Sequence, residues 1–129
     1  MIIGSEIIFL SNVVSTNTTA AEYIRSGMTR EGMVIRAGYQ SAGKGQLGNS
    51  WESEDGKNLL FSIILFPNML AATEQFLLCE FISLGIHDYL NTIISGCKIK
   101  WPNDIYAGDD KIAGILIENS LAGNAITSS

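Results

Sequence analysis

The chain has 129 residues, 47% of them apolar and 16% charged, which excludes a disordered segment and leaves length for one domain, residues 1–129, with a buried core. Its formal charge of −5, from 13 acidic and 8 basic residues, argues against a nucleic-acid partner, because phosphate binding relies on clustered Lys and Arg. The opening "MIIGSEIIFL" lacks a signal-peptide pattern and no apolar run reaches membrane-span length, so a cytoplasmic chain with no membrane partner is expected.

The first element is a strand in "EIIFL", Glu6 to Leu10. A Ser-Thr-Asn cluster then precedes a helix that ends at Gly27. "GMVIRAGY" (Gly32 to Tyr39) and "NLLFSIILF" (Asn58 to Phe66) are further strands, the second stopped by Pro67. From Ala71 to Ser95 the positions Leu78, Phe81, Ile82, Ile86, Tyr89, Leu90, Ile93 and Ile94 predict one long amphipathic helix. "KIKW", a Pro102–Asn103 break, "DIYA", a "GDD" turn and "KIAGILIE" (Lys111 to Glu118) read as strands ending in a hairpin. The order β-α-β-β-α-β-β(-β) implies an α+β fold with a mixed, largely antiparallel sheet packed on helices. Cys79 and Cys97 lack C-x-x-C spacing and His87 is the single histidine, so packing cysteines are expected, with neither a disulfide framework nor a zinc site.

"GKGQLGNSWESEDGKN", Gly43 to Asn58, fits two nucleotide motifs incompletely. Gly43 to Gly48 read G-x-G-x-x-G, but no helical period follows and the position about 20 residues on, where an acidic residue would hold a ribose, falls in "FPNML". Gly38 to Lys44 read G-x-x-x-x-G-K, but Gly45 stands where a P-loop needs Ser or Thr. What remains is a glycine-spaced loop carrying Lys44 and closing on Trp51, which serves either as an aromatic for stacking on a base or as a core anchor.

"STN" at 15–17, "AGYQSAGKGQLGNSW" at 37–51, "KWPNDIY" at 100–106 and "KIAGILIE" at 111–118, in this order, resemble the biotin protein ligases. The resemblance covers Ile7 to Asn124 and implies the catalytic fold these enzymes share with class II aminoacyl-tRNA synthetases. It also implies activation of biotin by ATP, with Mg²⁺, to biotinyl-5′-adenylate, and transfer to a lysine of a biotin carboxyl carrier protein domain. On matching positions, Ser15, Thr16, Asn17 and Gln40 would contact the ureido ring, and short hydroxyl and amide groups suit its paired donors and acceptor. Lys44, Gly45 and Gln46 would lie in the loop that orders over biotin, and Trp51 would pack against adenine. Lys111 and Lys44 would be the catalytic cations, Lys111 bridging carboxylate and α-phosphate where negative charge builds up. Asn103 and Asp104 would flank the nucleotide, with Asp104 a candidate to orient Mg²⁺ or a catalytic water, and no metal ligand set is assigned. Gly114 would allow close approach of the strand to biotin. Taken alone, "STN" is an ordinary N-cap cluster, "PND" a turn and Lys111 a solvent-facing hairpin lysine.

The better-known members carry G-R-G-R-x-G-R in the loop, whereas this chain has Lys44, Gln46 and Asn49, which lack the planar fork of arginine. No helix-turn-helix precedes Ile7, and "LAGNAITSS" stands where the family would enter further strands, so the resemblance reads as the N-terminal part of the catalytic domain. An unpaired edge at "NAITSS", self-association into a homo-oligomer and weak activity of this chain alone are the corresponding expectations. A non-catalytic biotin-binding or interaction fragment and a lipoate–protein ligase are the alternatives.

Overall fold

The computed structural model describes residues 2–129. It has two compact units, one running to Pro67 and including Thr127–Ser129, the other Asn68–Ile126.

In the first unit, β1 (Ile7–Val13) turns Ile8 and Leu10 inward and leaves Phe9 exposed, the alternation of a half-buried strand. Helix α1 (Thr16–Ser26) begins where extended Ser15 accepts a hydrogen bond from the Thr18 N–H, and ends at Gly27, whose φ of 75° bends the chain away. β2 (Val34–Gln40) returns parallel to β1, from Ile7 opposite Val34 to Val13 opposite Gln40. Inside the glycine stretch, β3 (Gly43–Lys44) and β4 (Ser50–Trp51) form a small antiparallel ladder, so this connection is itself a hairpin. β5 (Leu60–Ile63) then pairs antiparallel with β2, giving the order β1-β2-β5. β5 is shorter than predicted, and Leu59 is exposed. The core is Ala20 from α1 with Met33, Ile35 and Ile64, joined by Ile8, Leu10, Tyr23, Ile24 and Phe66. Full burial of Ile35 and Ile64 stabilises the unit by roughly 1.5–3 kcal/mol each relative to exposure. On the outer face, the Arg36 guanidinium lies 5.5 Å from the centre of the Phe9 ring opposite it.

In the second unit, a 3-10 turn at Ala72–Glu74 leads into α2 (Gln75–Asn91). The strands β6 (Cys97–Lys100), β7 (Asp104–Ala107) and β8 (Asp110–Gly114) form an antiparallel sheet. The predicted hairpin is there, turning at Gly108–Asp109 with Gly108 at φ 61°. β8 stops at Gly114 instead of reaching Glu118. β9 (Ser120–Ala122) and β10 (Ala125–Ser128) pair, the last residues of β10 belonging to the first unit. The edge expected at "NAITSS" is therefore partnered. Ile126 is fully buried and donates its N–H to Leu70, and in the first unit Leu65 and Ser129 exchange two backbone bonds. Buried backbone groups must find such partners.

The predicted face of the long helix needs correction. α2 turns Leu78 and Ser83 into the interior, with Ile82, Ile86 and Leu90 half-buried. Phe81 and Tyr89 are exposed, and Ile93 and Ile94 lie beyond the helix on the surface. Phe76, Leu77 and Leu84 add further apolar residues outside, so the helix is apolar nearly all round and periodicity alone does not select a buried side. An apolar groove of about 440 Å³ runs along it, lined by Leu70, Leu77, Leu78, Phe81 and Leu84 with Glu80.

Candidate small-molecule site

The sharpest polar feature of the first unit is at the start of α1. Ser15 and Thr16 are buried there, 2% and 5% exposed. The Ser15 hydroxyl accepts from the Thr18 N–H at 3.0 Å and donates to Thr18 Oγ1 at 2.8 Å, so it is committed to capping. Gln40 reaches in from the end of β2, and its Oε1 accepts both the Thr16 N–H at 2.8 Å and the Thr16 hydroxyl at 3.1 Å. With Oε1 doubly occupied, the Gln40 Nε2 group is the outward donor and lies above Gly43. Ser62 of β5 donates to Thr16 Oγ1 at 2.8 Å and also contacts Asn17 Oδ1. A parallel β1-α1-β2 arrangement with β5 alongside thus brings Ser15, Thr16, Asn17, Gln40 and Ser62 into one network.

Gln40 also lines a cleft of about 550 Å³ formed by Tyr39–Gly43 and Ser50–Glu54, a volume suited to a small ligand. Trp51 stands on its wall opposite Gly43 and is half-buried. Gly43 is required here, since a Cβ would collide with the Trp51 carbonyl and come within 2.8 Å of Gln40 Nε2. Lys44 and Gln46 are exposed on the hairpin and Gly45 is half-buried, its N–H bonded to the Asn49 carbonyl at 2.6 Å. At the tip, Leu47 is fully exposed with φ 54° and ψ 38°, a left-handed conformation that costs a residue with a Cβ about 1–2 kcal/mol.

In the second unit, Asp104 opens β7 directly opposite Gly114, the exposed end of β8. A register shift between Ile105 and Tyr106 puts Lys111 opposite Tyr106. Lys111 Nζ nevertheless reaches Asp104 Oδ1 at 2.8 Å, and the two side chains are 33% and 25% exposed. A partly hydrated pair of this kind contributes about 0–1 kcal/mol to stability. Its main effect is to hold the lysine head at a defined place. Asn103 is buried, and its amide donates to the Ile115 carbonyl while its own carbonyl accepts the Ile115 N–H at 3.1 Å. These bonds tie the turn to the chain leaving β8.

Ser62 and Ser83 were missed by the sequence reading. Ser83 is 2% exposed on α2, and its hydroxyl donates to the Pro102 carbonyl at 3.4 Å, anchoring the turn before Asn103. Each is a lone serine in an apolar run, "LLFSIIL" and "LCEFISLGI". That signal was available, because a serine buried with apolar neighbours must be hydrogen-bonded. His87, the lone histidine, contacts Asp88 Oδ1 through Nδ1 at 3.2 Å and the Cys97 carbonyl through Nε2 at 2.9 Å. The Asp88 hydrogen bond foremost, then the Cys97 carbonyl, raises its pKa above the usual 6.5. Cys79 and Cys97 are free thiols, half-buried and buried respectively.

The first unit thus carries a buried hydroxyl–amide network beside a cleft, and the second carries a lysine held on a hairpin by a carboxylate. The chain belongs to the Biotin/lipoate A/B protein ligase family, which it matches over residues 10–127. It is 33% identical over 122 residues to the bifunctional ligase/repressor BirA of Bacillus spizizenii, an alignment covering 91% of this chain and 36% of that protein. It is 32% identical to the biotin–[acetyl-CoA-carboxylase] ligase of Paracoccus denitrificans, over 91% of this chain and 48% of that one. Among solved structures it is similar to the biotin protein ligase of Aquifex aeolicus in complex with biotin and ATP, at a TM-score of 0.73 and 29% identity, covering 96% of this chain and 50% of that chain. The chain therefore spans between about a third and a half of the length of these relatives.

Proposed function

We propose that this chain carries the biotin-binding part of a biotin protein ligase catalytic domain. The observation that carries the reading is the network of Thr16, Asn17, Gln40 and Ser62, anchored by the Ser15 cap. The ureido group of biotin presents two N–H donors and one carbonyl acceptor. An outward Gln40 Nε2 suits the acceptor, and oxygens on Thr16 and Asn17 suit the donors. The dithiolane of lipoate has no such groups. Similarity to an enzyme whose solved complex holds biotin and ATP supports the same reading.

In the proposed reaction the biotin carboxylate attacks the α-phosphorus of ATP, and pyrophosphate leaves with the electron pair of the broken P–O bond. The amine of a lysine on a biotin carboxyl carrier protein domain then attacks the acyl carbon of biotinyl-5′-adenylate and expels AMP. Lys111 is assigned to the charge that builds on the phosphoryl oxygens, with Asp104 holding its ammonium group in place. Asn103 positions the adjoining chain through Ile115. Gly114 leaves the strand end without a side chain. Lys44, Gly45 and Gln46 belong to the hairpin over the ligand, Lys44 supplying a second cation, and Trp51 offers a face to adenine. Magnesium would serve as the counter-ion of the ATP phosphates, and Asp104 is the residue of this chain that would orient it. The exposed apolar groove on α2 supports self-association, and a cytoplasmic setting belongs to the same reading.

The test is exchange of labelled pyrophosphate into ATP. Exchange that depends on biotin and is not supported by lipoate is expected. Exchange driven equally by lipoate would overturn the biotin assignment, and none with either would remove the activation step from this chain.

A further inference from the structure

Phe76, Cys79, Ser83 and His87 of α2 follow one another at intervals of three, four and four residues, so they lie along one stripe of the helix. Each of them meets β6 or the connection from β6 to β7. His87 Nε2 lies 2.9 Å from the carbonyl of Cys97, the first residue of β6. Phe76 packs against Trp101, with ring centres 5.4 Å apart. Between these two contacts, Cys79 and Ser83 direct their donors at one atom, the Pro102 carbonyl oxygen, from 3.6 Å and 3.4 Å. Proline has no N–H, so this carbonyl is the backbone group by which the residue can be held. A thiol is a weak donor, which makes the Ser83 hydroxyl the stronger of the two. A serine inside a helix commonly returns its proton to the carbonyl one turn back. Ser83, 2% exposed, directs it across to the turn instead.

The Pro102 carbonyl shares a planar peptide group with the Asn103 nitrogen, so holding one orients the other. Asn103 in turn is bonded to Ile115, and Asp104, the next residue, opens β7 with its carboxylate on Lys111. We propose that Ser83 is a positioning residue: by holding the Pro102 carbonyl against α2 it sets the place of Asn103 and Asp104 and, through Asp104, of the Lys111 ammonium group. This rests on the assignment of Lys111 to phosphoryl charge in the proposed function. It gives a buried helix residue that touches no substrate a part in the activation step.

The test uses the whole 129-residue chain. In NMR spectra recorded without ligand, Ser83→Ala should move the backbone N–H signal of Asn103 and the side-chain signals of Asp104 and Lys111, and Ser83→Ala combined with Cys79→Ala should move them further. Ser83→Thr keeps the hydroxyl and should leave them near their parental positions. In biotin-dependent pyrophosphate exchange, Ser83→Ala should lower the rate at saturating biotin about tenfold, the equivalent of one net hydrogen bond, and keep biotin affinity within about twofold. Movement confined to the Asn103 N–H, with Asp104 and Lys111 unmoved, would reduce Ser83 to a packing role and overturn the proposal, as would a parental exchange rate in the folded double variant. Absence of exchange in the parent chain would instead overturn the proposed function, and the ligand-free signals would still decide whether Ser83 places Lys111.

Discussion

Lys111 shows how little a residue's surroundings in sequence reveal about its task. Within "GDDKIAG" it is a hairpin lysine, and only the folded strand pair brings its head to 2.8 Å from Asp104. If that ammonium group stabilises charge that appears only in the transition state, its removal falls on rate and spares binding. Lys111→Ala is expected to lower biotin-dependent pyrophosphate exchange by about 10² to 10³ while changing biotin affinity only a few-fold. Exchange within a few-fold of the parent would move the role to another cation. Ser62 and Ser83 make the complementary point. Their functional neighbours, Thr16 and Pro102, lie far off in sequence, so nothing local announced the pairing. Ser15, by contrast, was legible from its neighbours, because capping is a contact with the next turn of the same helix.

α1 and α2 divide along the same line. α1 has a polar side, a serine cap and a glycine stop, and its observed bounds follow from those signals. α2 has apolar residues on every side, and the eight positions expected to form one buried face split between interior and surface. The distinction is measurable by truncation. Leu78→Ala should destabilise the chain by about 2–3 kcal/mol through lost burial and the cavity left behind, whereas Phe81→Ala, at a site 75% exposed, should stay within about 0.5 kcal/mol. Urea denaturation of both variants, at concentrations low enough to keep the chain monomeric, checks this, and a loss from Phe81→Ala as large as that from Leu78→Ala would place Phe81 in the folded core. The glycine stretch was legible as a connection between β2 and β5 but not as a paired hairpin. Its ladder is two residues long on each side and depends on the close approach at Gly43, which no periodicity records.

The fold class was readable because it depends on element order, and that order survives errors of a few residues at each boundary. The two three-stranded sheets and the partnering of "NAITSS" were not readable, since strand pairing is a long-range choice among many similar apolar runs. Global stability should also carry a titration from His87. Its folded pKa is raised above 6.5, so the protonated form is favoured by folding. The resulting stabilisation is fully present below about pH 6.5 and is lost as pH rises through the folded value. Comparing urea midpoints of the parent and His87→Gln between pH 5 and pH 9 (roughly the span over which histidine titrates) should show the two converging as pH rises, and a gap that widens with pH would reverse the sign. The central claim is that the hydroxyl–amide network on α1, β2 and β5 is a ureido pocket. Isothermal titration of this chain with biotin and, separately, with lipoate tests it most directly. A site built for hydrogen bonds rejects a ligand lacking them by as much as about 10⁴-fold, so the account predicts heat on adding biotin and none on adding lipoate, and equal binding of both, or no binding of biotin, would contradict it.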